Sequence, residues 1–362
     1  MRKQVKIIEN LKRIRIIFVL WIICMFFYHL IIFFSVNEVV PNEIEFVKYM
    51  VSGVVLGIIF GLTNGFLEIF IFQQRFRRLR FGYTVILKTI LFVAAFLITV
   101  IVFIQIKNYL LVALGLFEAP NENDLAEFFG SSVLYKHGLY ALLISFGINF
   151  FLQIDNKMGK NVLFNLFFGK FHRPRKQEKI IMFLDLTSST TIAEKIGDTK
   201  YSAFLRDFFF DLDEIISETK GAVYQYIGDE VVVIWEVEDG IENSNCIRCY
   251  FESKKRIYTQ KDKYIDQYGV FPQFKAGVHF GEVVVTEVGG LKSEIAYHGD
   301  TINTASRLRT EASNYGNGLL ISAELLSYLK SLDEYYRIES VGLIKFKGKK
   351  HDIGAFSVYE KV

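Results

Sequence analysis

The sequence predicts a four-helix membrane domain, followed by an α+β sandwich whose strands and helices come in the order βαββαβ. Three observations favour this. The chain of 362 residues is 51% hydrophobic and 16% aromatic, which is more apolar than ordinary soluble proteins. Nearly all of its long apolar runs lie in the first 155 residues. Beyond them, short apolar strand-like runs alternate with amphipathic helical patterns.

Four segments in the first half are long enough to cross the hydrocarbon core of a bilayer, which requires about 20 apolar residues. They cover approximately residues 14–34, 46–72, 83–106 and 132–154. The first segment is too long for a cleaved signal peptide, and no cleavage-like site follows it. We therefore expect residues 1–154 to form a four-helix transmembrane anchor.

The charges of the loops predict how this anchor is oriented. Lysine and arginine are concentrated at the N-terminus, between the second and third segments, and after the fourth, whereas the other two loops lean acidic. Because loops rich in lysine and arginine stay on the cytoplasmic side, both termini are expected in the cytoplasm. The C-terminal half then faces the cytosol, as part of an integral protein of a plasma membrane or bacterial inner membrane.

Several polar residues lie inside the apolar segments. His29 and His137 are expected at similar depth, where a facing pair can ligate haem, although such residues more often hydrogen-bond a neighbouring helix or sit at the interface. Glu68 and Lys88 lie near the cytoplasmic side, where snorkelling of the charged ends accounts for them. Glycines at every fourth position of the second segment predict close helix packing within the chain, in preference to a dimer contact. They are Gly53, Gly57, Gly61 and Gly65.

Residues 155–178 join the two halves and are expected to form a cytoplasmic linker. The stretch 162–168 has the pattern of an amphipathic helix lying in the membrane interface, and Pro174 should end it. Such a linker either transmits a signal from the membrane or serves as an inert tether, and the sequence favours neither.

The C-terminal half, residues 179–362, has the composition of one globular domain. A strand that ends at Asp185 is followed by a short helix with Ser and Thr in its first turn, a longer helix over 201–219 and a hairpin over 222–235. The remaining elements are a helix over 243–268, a second hairpin-like stretch over 274–289, a helix over 300–313 and a short strand over 319–322. Elements in this order fit a ferredoxin-like α+β sandwich, βαββαβ in type.

Two aspartates stand at the tips of apolar strands in this domain. Asp185 ends one strand, and Asp229 occupies the turn of the first hairpin. A buried carboxylate without a partner costs several kcal/mol, so these residues require a cation. Two carboxylates on neighbouring strands can share hard cations such as Mg²⁺, an arrangement that suits phosphoryl or nucleotidyl transfer.

Further polar residues suit a nucleoside triphosphate. The residues after Asp185 open a helix whose N–H groups and dipole can hold phosphates, although N-capping is the simpler role. Asn303 and Arg307 share one helix face, where they can hold a ribose and a phosphate. The alternative is that both lie on the helix surface and contact solvent. Lys347, beside a glycine, either reaches a phosphate or lies in a solvated turn. The helix-opening residues are Thr187, Ser188, Ser189 and Thr190.

Two classes of function are disfavoured. The net charge of +3 argues neither for nor against nucleic-acid binding, but no basic stripe interleaved with aromatics occurs in the C-terminal half, which disfavours it. Cys246 and Cys249 form a CxxC pair on a predicted helix, but no second pair of ligands lies nearby. Two small buried residues are therefore favoured over a metal or redox site.

Four strings in the C-terminal half resemble the catalytic domain of class III adenylate and guanylate (nucleotidyl) cyclases. They are FLDLTSST, YIGDE, GDTINTASR and KGK, in the order and approximate spacing of that family. The resemblance, to the bacterial membrane-anchored type, implies conversion of a nucleoside triphosphate to a 3′,5′-cyclic nucleotide and pyrophosphate, with ATP favoured. It also implies a homodimer in which the metal aspartates come from one chain and the Asn/Arg pair from the other.

What the resemblance implies for single residues follows from the matching strings. Asp185 and Asp229 would hold two Mg²⁺ or Mn²⁺ ions, one of which would lower the pKa of the ribose 3′-hydroxyl while the other would bind the leaving phosphates. Asn303 would orient the ribose, and Arg307 would neutralise charge that develops at the α-phosphate. Lys347 would bind phosphate.

The two positions that read the base depart from the family pattern. Gln225 stands where a lysine is usual, and Ala296 stands where aspartate or threonine is usual. Because glutamine both donates and accepts hydrogen bonds, a cyclase for GTP or a pyrimidine triphosphate is an alternative to an adenylate cyclase. A non-catalytic membrane signalling module with the same fold is the other alternative.

Overall fold

The computed structural model describes residues 2–36, 43–72, 79–113, 132–158, 162–167, 169–315, 318–330, 332–345 and 352–361. The chain divides into two compact units, Met1–Lys157 and Met158–Val362. The described part of the first is helical, and the second carries the strands. Each unit has its own hydrophobic core.

The described residues of the first unit form four long helices. They are α1 (Arg2–Val36), α2 (Glu43–Leu67), which continues as a π-helical turn (Glu68–Phe72), α3 (Phe81–Ala113) and α4 (Ser132–Met158). Each is long and apolar enough to span a membrane, over Ile14–Phe34, Gly53–Phe72, Phe81–Thr99 and Gly138–Asp155. The four predicted spans are therefore confirmed as helices.

The glycine face of α2 packs against α1 of the same chain. A Cβ atom added to Gly57 would lie 2.7 Å from the Cα atom of Ile22, and one added to Gly61 would lie 2.8 Å from the Cα atom of Phe18. Only glycine permits backbones to approach this closely. This confirms the prediction that the glycines serve packing within the chain.

Replacing Gly57 by leucine is expected to lower the free energy of unfolding of the membrane unit by about 1–3 kcal/mol or more, because the backbone of α1 must move away. The measurement is equilibrium unfolding of the protein in detergent. Gly147→Leu in α4 is the matched control, since a Cβ atom at Gly147 meets nothing within 4 Å. Equal losses for the two variants would contradict the packing role.

Glu68 and Lys88 form an ion pair inside the first unit, and the snorkelling prediction is wrong. The Lys88 Nζ atom donates to both carboxylate oxygens of Glu68, at 2.7 and 2.8 Å. The Glu68 side chain is 1% exposed and that of Lys88 is 6% exposed. Charges buried this deeply require a partner, which each provides for the other.

His29 lies on α1 and its ring is buried against α2. Its Nδ1 atom donates to the carbonyl oxygen of Met25 at 2.9 Å. A Cβ atom on Gly53 would lie 2.7 Å from the imidazole ring, so the ring fills the space that this glycine leaves. This hydrogen bond lies within α1 and the contact with α2 is one of packing, so the predicted hydrogen bond to a neighbouring helix stays a prediction. The side chain of His137 is outside the described residues.

The second unit alternates strands and helices after a short helix α5 (Val162–Phe167). Its elements are β1 (Arg175–Leu186), α6 (Ser189–Ile196), α7 (Asp198–Glu218), β2 (Ala222–Ile227), β3 (Glu230–Glu236), α8 (Val237–Ile241), α9 (Asn245–Thr259), α10 (Lys261–Tyr268), β4 (Phe274–Val288), β5 (Glu294–His298), α11 (Asp300–Glu311), β6 (Leu319–Ser322), α12 (Ala323–Tyr328), α13 (Leu332–Tyr335), β7 (Tyr336–Ile344) and β8 (Ile353–Glu360).

The strands form one mixed sheet in the order β2-β3-β1-β4-β6-β8-β7, and β5 pairs with β4 outside this path. The pairs β2–β3, β3–β1 and β1–β4 are antiparallel, and with the intervening helices they make the predicted βαββαβ arrangement. Alternate residues of β1 enter two different cores: Met182 packs with α7 and α9, and Phe183 lies in the cluster that includes Ala305 of α11. Helices therefore cover both faces of the sheet.

Three boundaries differ from the sequence-based expectation. The stretch predicted as a second hairpin is a single strand, β4, of 15 residues. Gly281 within it marks no turn, because a Cβ atom there would lie 2.6 Å from the hydroxyl oxygen of Thr301, so this glycine admits α11. Strand β1 begins at Arg175, four residues before the expected domain start, and Phe171 is already buried against the sheet. The long helix predicted over 243–268 is divided at Gln260 into α9 and α10.

Cys246 and Cys249 lie on α9 and are fully buried, as expected for two small residues on one helix face. Burial raises the pKa of Cys246 to about 12 and that of Cys249 to about 11. Both side chains are therefore neutral thiols near neutral pH.

Candidate active site

The two predicted metal aspartates lie side by side at one end of the sheet. Asp185 is next to last in β1, and Asp229 follows Gly228 in the turn between β2 and β3. Gly228 has a φ of 62°, which the tight hairpin turn requires. The Leu186 N–H donates to the Asp229 carbonyl oxygen at 3.4 Å, so the turn is attached to the end of β1.

The carboxylates of Asp185 and Asp229 interact directly. Burial raises the pKa of Asp185, and the Asp229 charge and a side-chain hydrogen bond between the two groups raise it further, against the lowering effects of Arg309 and Lys275. Two carboxyl groups this close hold either a proton or a shared cation. The convergence that the sequence predicted for these two aspartates is therefore present in the fold.

Three charged residues that the sequence did not single out surround Asp185. The Arg309 Nη1 atom lies 3.2 Å from Asp185 Oδ2, and its Nη2 atom lies 2.6 Å from Glu230 Oε2. The Lys275 Nζ atom lies 3.7 Å from the same Asp185 oxygen. Strand pairing could have indicated two of them, because Glu230 of β3 and Lys275 of β4 stand opposite Asp185.

Glu230 is buried next to the aspartates. Burial raises its pKa to about 7, although Arg309 counteracts part of this effect, and the neighbouring Asp185 and Asp229 raise it further. We name Asp185, Asp229 and Glu230 the acidic cluster. Its excess of negative charge over Lys275 and Arg309 makes it attractive to cations.

The acidic cluster fits Mg²⁺ or Mn²⁺ as one part of a coordination sphere. Among the residues that the structure describes, no three His, Cys, Asp or Glu side chains are placed so that they could hold a metal ion by themselves. Mg²⁺ typically takes one or two carboxylates, and substrate phosphates and waters complete its octahedron. Asp185 at the end of β1 and Asp229 in the adjoining β2–β3 turn can supply these carboxylates.

The Ser/Thr stretch after Asp185 forms a turn and then the first turn of α6. The Thr187 N–H donates to the Gln273 carbonyl oxygen at 2.7 Å, so it is not available to a phosphate. Ser188 has a φ of 58° and its side chain makes no capping bond, which differs from simple N-capping. The first N–H groups of a helix have no acceptor within it, and in α6 these include the N–H groups of Ser189 and Thr190.

Asn303 and Arg307 lie on α11, one turn apart, with Asn303 exposed and Arg307 half-buried. Arg309 follows two positions later, about 200° further around the helix, so it faces a different way. The arginine of α11 that reaches Asp185 of the same chain is Arg309. The predicted Asn/Arg pair therefore lies on another side of α11 from the contact with the acidic cluster.

The two positions predicted to read the base lie in one region of the sheet. Gln225 is exposed on β2, and Ala296 is buried on β5. Their sequence neighbours Tyr224 and Tyr297 are in contact, with ring centroids 4.8 Å apart, and the Tyr297 N–H donates to the Tyr224 hydroxyl oxygen at 3.5 Å. Lys347 lies outside the described residues.

Comparison with known proteins assigns the C-terminal half to a family. Residues 171–359 match the model of the adenylate and guanylate cyclase catalytic domain. Adenylate cyclase 2 of Rhizobium meliloti (strain 1021) is 31% identical over 220 residues, which are 61% of this chain and 60% of that protein. Adenylate cyclase 1 of the same organism is 29% identical over 193 residues, 52% of this chain and 28% of that protein.

Receptor-type guanylate cyclase gcy-13 of Caenorhabditis elegans is also similar, at 28% identity over 185 residues, 50% of this chain and 18% of that protein. The chain thus spans less than two thirds of the length of these relatives. A solved bacterial light-regulated adenylyl cyclase shares the fold with a TM-score of 0.52 at 20% identity, over 64% of this chain and 67% of that one. Since the family model covers more than half of the residues, the chain belongs to the adenylate and guanylate cyclase family, the class III nucleotidyl cyclases.

Proposed function

We propose that this protein is a membrane-bound adenylate cyclase that converts ATP to 3′,5′-cyclic AMP and pyrophosphate. The placement of Asp185 and Asp229 at one edge of the sheet carries the proposal, because two neighbouring carboxylates at strand ends suit a nucleotide–metal complex. The relatives named adenylate cyclases, at about 30% identity, support ATP as the substrate.

In the proposed reaction the ribose 3′-oxygen attacks the α-phosphorus of the same nucleotide, and the hydroxyl proton passes to solvent. The bond between the α-phosphorus and the oxygen that bridges to the β-phosphate breaks, and pyrophosphate leaves. Bound Mg²⁺ or Mn²⁺ would supply Lewis-acid activation of the hydroxyl and charge neutralisation of the phosphates. Asp185 and Asp229 would hold the two ions, and the N–H groups that open α6 would bind phosphate oxygens.

The other half of the site would come from α11 and the strands near it. Arg307 would neutralise negative charge that develops on the α-phosphate, and Asn303 would orient the ribose so that the 3′-oxygen is in line. Lys347 would bind the leaving phosphates, and Gln225 and Ala296 would contact the base. Because glutamine is the only polar side chain of that base-reading pair, Tyr297 or a backbone group would complete the recognition.

We propose that the sites are shared between two copies of the chain. The side of α11 that carries Asn303 is not the side that contacts the acidic cluster through Arg309. A head-to-tail homodimer would bring Asn303 and Arg307 of one chain to Asp185 and Asp229 of the other, and would form two equivalent sites.

The proposed arrangement in the membrane follows the loop charges. Residues 1–154 would anchor the protein, and the catalytic domain and both termini would lie in the cytoplasm. The following residues would link the anchor to the catalytic domain, whose family match begins at residue 171. A linker in this position can carry a signal from the membrane to the sites.

A panel of ATP, GTP, CTP and UTP, each with Mn²⁺, tests the activity and the substrate together. We expect cyclic AMP as the product with the highest kcat/KM, measured by separation of the cyclic products. Asp185→Asn protein is the control for contaminating cyclases. A higher kcat/KM with another nucleotide would reassign the base, and no cyclic product from any of the four would favour a non-catalytic signalling module.

A further inference from the structure

Arg309 contacts the acidic cluster and has no role in the proposed reaction. The guanidinium of Arg309 bridges Asp185 at 3.2 Å and Glu230 at 2.6 Å, with one nitrogen for each carboxylate. We propose that Arg309 is a positioning residue: a built-in cation that holds Asp185 in place and lowers the affinity of the nucleotide-free site for metal. The inference rests on the proposed metal role of Asp185.

The geometry of the contact calls for arginine. Its planar guanidinium donates a hydrogen bond to Asp185 through Nη1 and places Nη2 beside Glu230, an arrangement that a lysine ammonium on a flexible stem does not reproduce. The side chains of Arg309, Asp185 and Glu230 are 22%, 13% and 9% exposed. Solvent and salt therefore screen the charges weakly, and each charge acts strongly on an ion nearby.

The balance of charge decides the direction of the effect. When ionised, the acidic cluster carries three negative charges, and Arg309 and Lys275 supply two positive ones, which leaves a net charge of −1. A divalent ion that approaches Asp185 is attracted by the carboxylates and repelled by the guanidinium. Arg309 thus opposes metal binding in the absence of nucleotide, whereas a triphosphate brings negative charge of its own. The site would then take metal chiefly together with the nucleotide.

The test is a Mn²⁺ titration of the nucleotide-free, full-length protein in weakly alkaline buffer, with unbound Mn²⁺ measured by electron paramagnetic resonance. Arg309→Gln makes the local charge more negative, and we expect it to tighten Mn²⁺ binding at least about fivefold. Glu230→Gln removes a negative charge while Arg309 stays, and we expect it to weaken binding by a similar factor. Damage to the fold would weaken binding in both variants, so opposite signs separate the charge effect from a structural one.

Two further variants keep the test independent of folding. Arg309→Lys retains the charge but not the planar fork, so we expect its Mn²⁺ affinity to lie closer to the wild-type value than that of Arg309→Gln. The double variant Glu230→Gln with Arg309→Gln loses one charge of each sign, so its affinity should also lie near the wild-type value. The double variant is needed because Arg309→Gln alone leaves the Glu230 carboxylate buried without a cation, which can prevent folding. Arg206→Gln, at an exposed surface position, is the control for total charge and should change nothing.

The outcomes distinguish this inference from the proposed function. If Asp185→Asn abolishes Mn²⁺ binding but Arg309→Gln leaves it unchanged or weaker, the role of Arg309 is wrong and the metal site stands. A double variant that binds Mn²⁺ as weakly as the Glu230→Gln variant would also overturn the role of Arg309. A wild-type protein whose Mn²⁺ binding does not depend on Asp185 would overturn the metal site and this inference together.

Discussion

Replacing Asp229 by asparagine is expected to lower the rate of cyclic-nucleotide formation by at least about 10³-fold, the equivalent of several kcal/mol in the activation barrier. Asparagine keeps the size of the side chain but removes the negative charge that a divalent ion needs. The same change removes the repulsion between Asp229 and Asp185. We therefore expect the metal-free variant to unfold at an equal or higher temperature than the wild-type protein.

This combination, lost activity with undiminished stability, identifies a residue whose charge serves function. The measurements are initial rates with ATP and Mn²⁺ and thermal unfolding without metal. Asp262→Asn is the matched control, because Asp262 is an exposed aspartate on α10, and it should keep the wild-type rate and stability. If the Asp229→Asn variant retained about a tenth of the rate or more, the metal role would have to be abandoned, since residual catalysis of that size does not fit loss of a metal ligand.

The pairing of the two aspartates could be predicted from the sequence because local rules determine it. A hairpin with Gly228 and Asp229 at its turn places Asp229 at the end of the sheet, and an apolar strand that ends in Asp185 arrives at the same edge. The alternation of buried residues then allows only one register. The transmembrane helices were predictable for a similar reason, because a run of about 20 apolar residues rarely forms anything but a membrane-spanning helix.

The contact of Arg309 with Asp185 was not predictable from such local rules. Arg309 lies 124 residues from Asp185 in the chain, and their contact depends on how α11 packs on the sheet. Nothing in the helical pattern separates Arg309 from any other arginine near a helix end. The pair of Glu68 and Lys88 is a similar case, because each charge alone suited a position near the membrane surface and only the packing of α2 against α3 brings them together.

The largest departure concerned β4, which the sequence pattern predicted as a hairpin-like stretch and which is one strand. Gly281 interrupts an apolar pattern, and such an interruption is typical of hairpins as well as of close approach by another element. The approach of Thr301 decides between the two, and it is a tertiary contact. The consequence reaches the site, because this contact holds the start of α11, the helix that carries Asn303, Arg307 and Arg309.

A mixture of two inactive variants, Asp229→Ala and Arg307→Ala, is expected to recover activity. Alone, the first variant should be inactive, and the second should lose about 10²-fold or more, as for removal of a partner of transition-state charge. In a shared-site homodimer, the mixed dimer has one site with both defects and one site with none. Random exchange makes about half of the dimers mixed, so about one quarter of the wild-type sites should be intact.

The unfractionated co-expressed protein should therefore rise from near zero to about a quarter of the wild-type rate. The two chains carry different tags, through which the mixed dimer is then isolated. The purified mixed dimer should reach about half of the wild-type rate, because one of its two sites works. Co-expression of Asp229→Ala with Asp185→Ala is the control: both changes fall on the metal side, so each site of the mixed dimer carries one defect and no recovery should occur. Isolated mixed dimers of the first pair that stay inactive would show that Asn303 and Arg307 do not serve the aspartates of another chain.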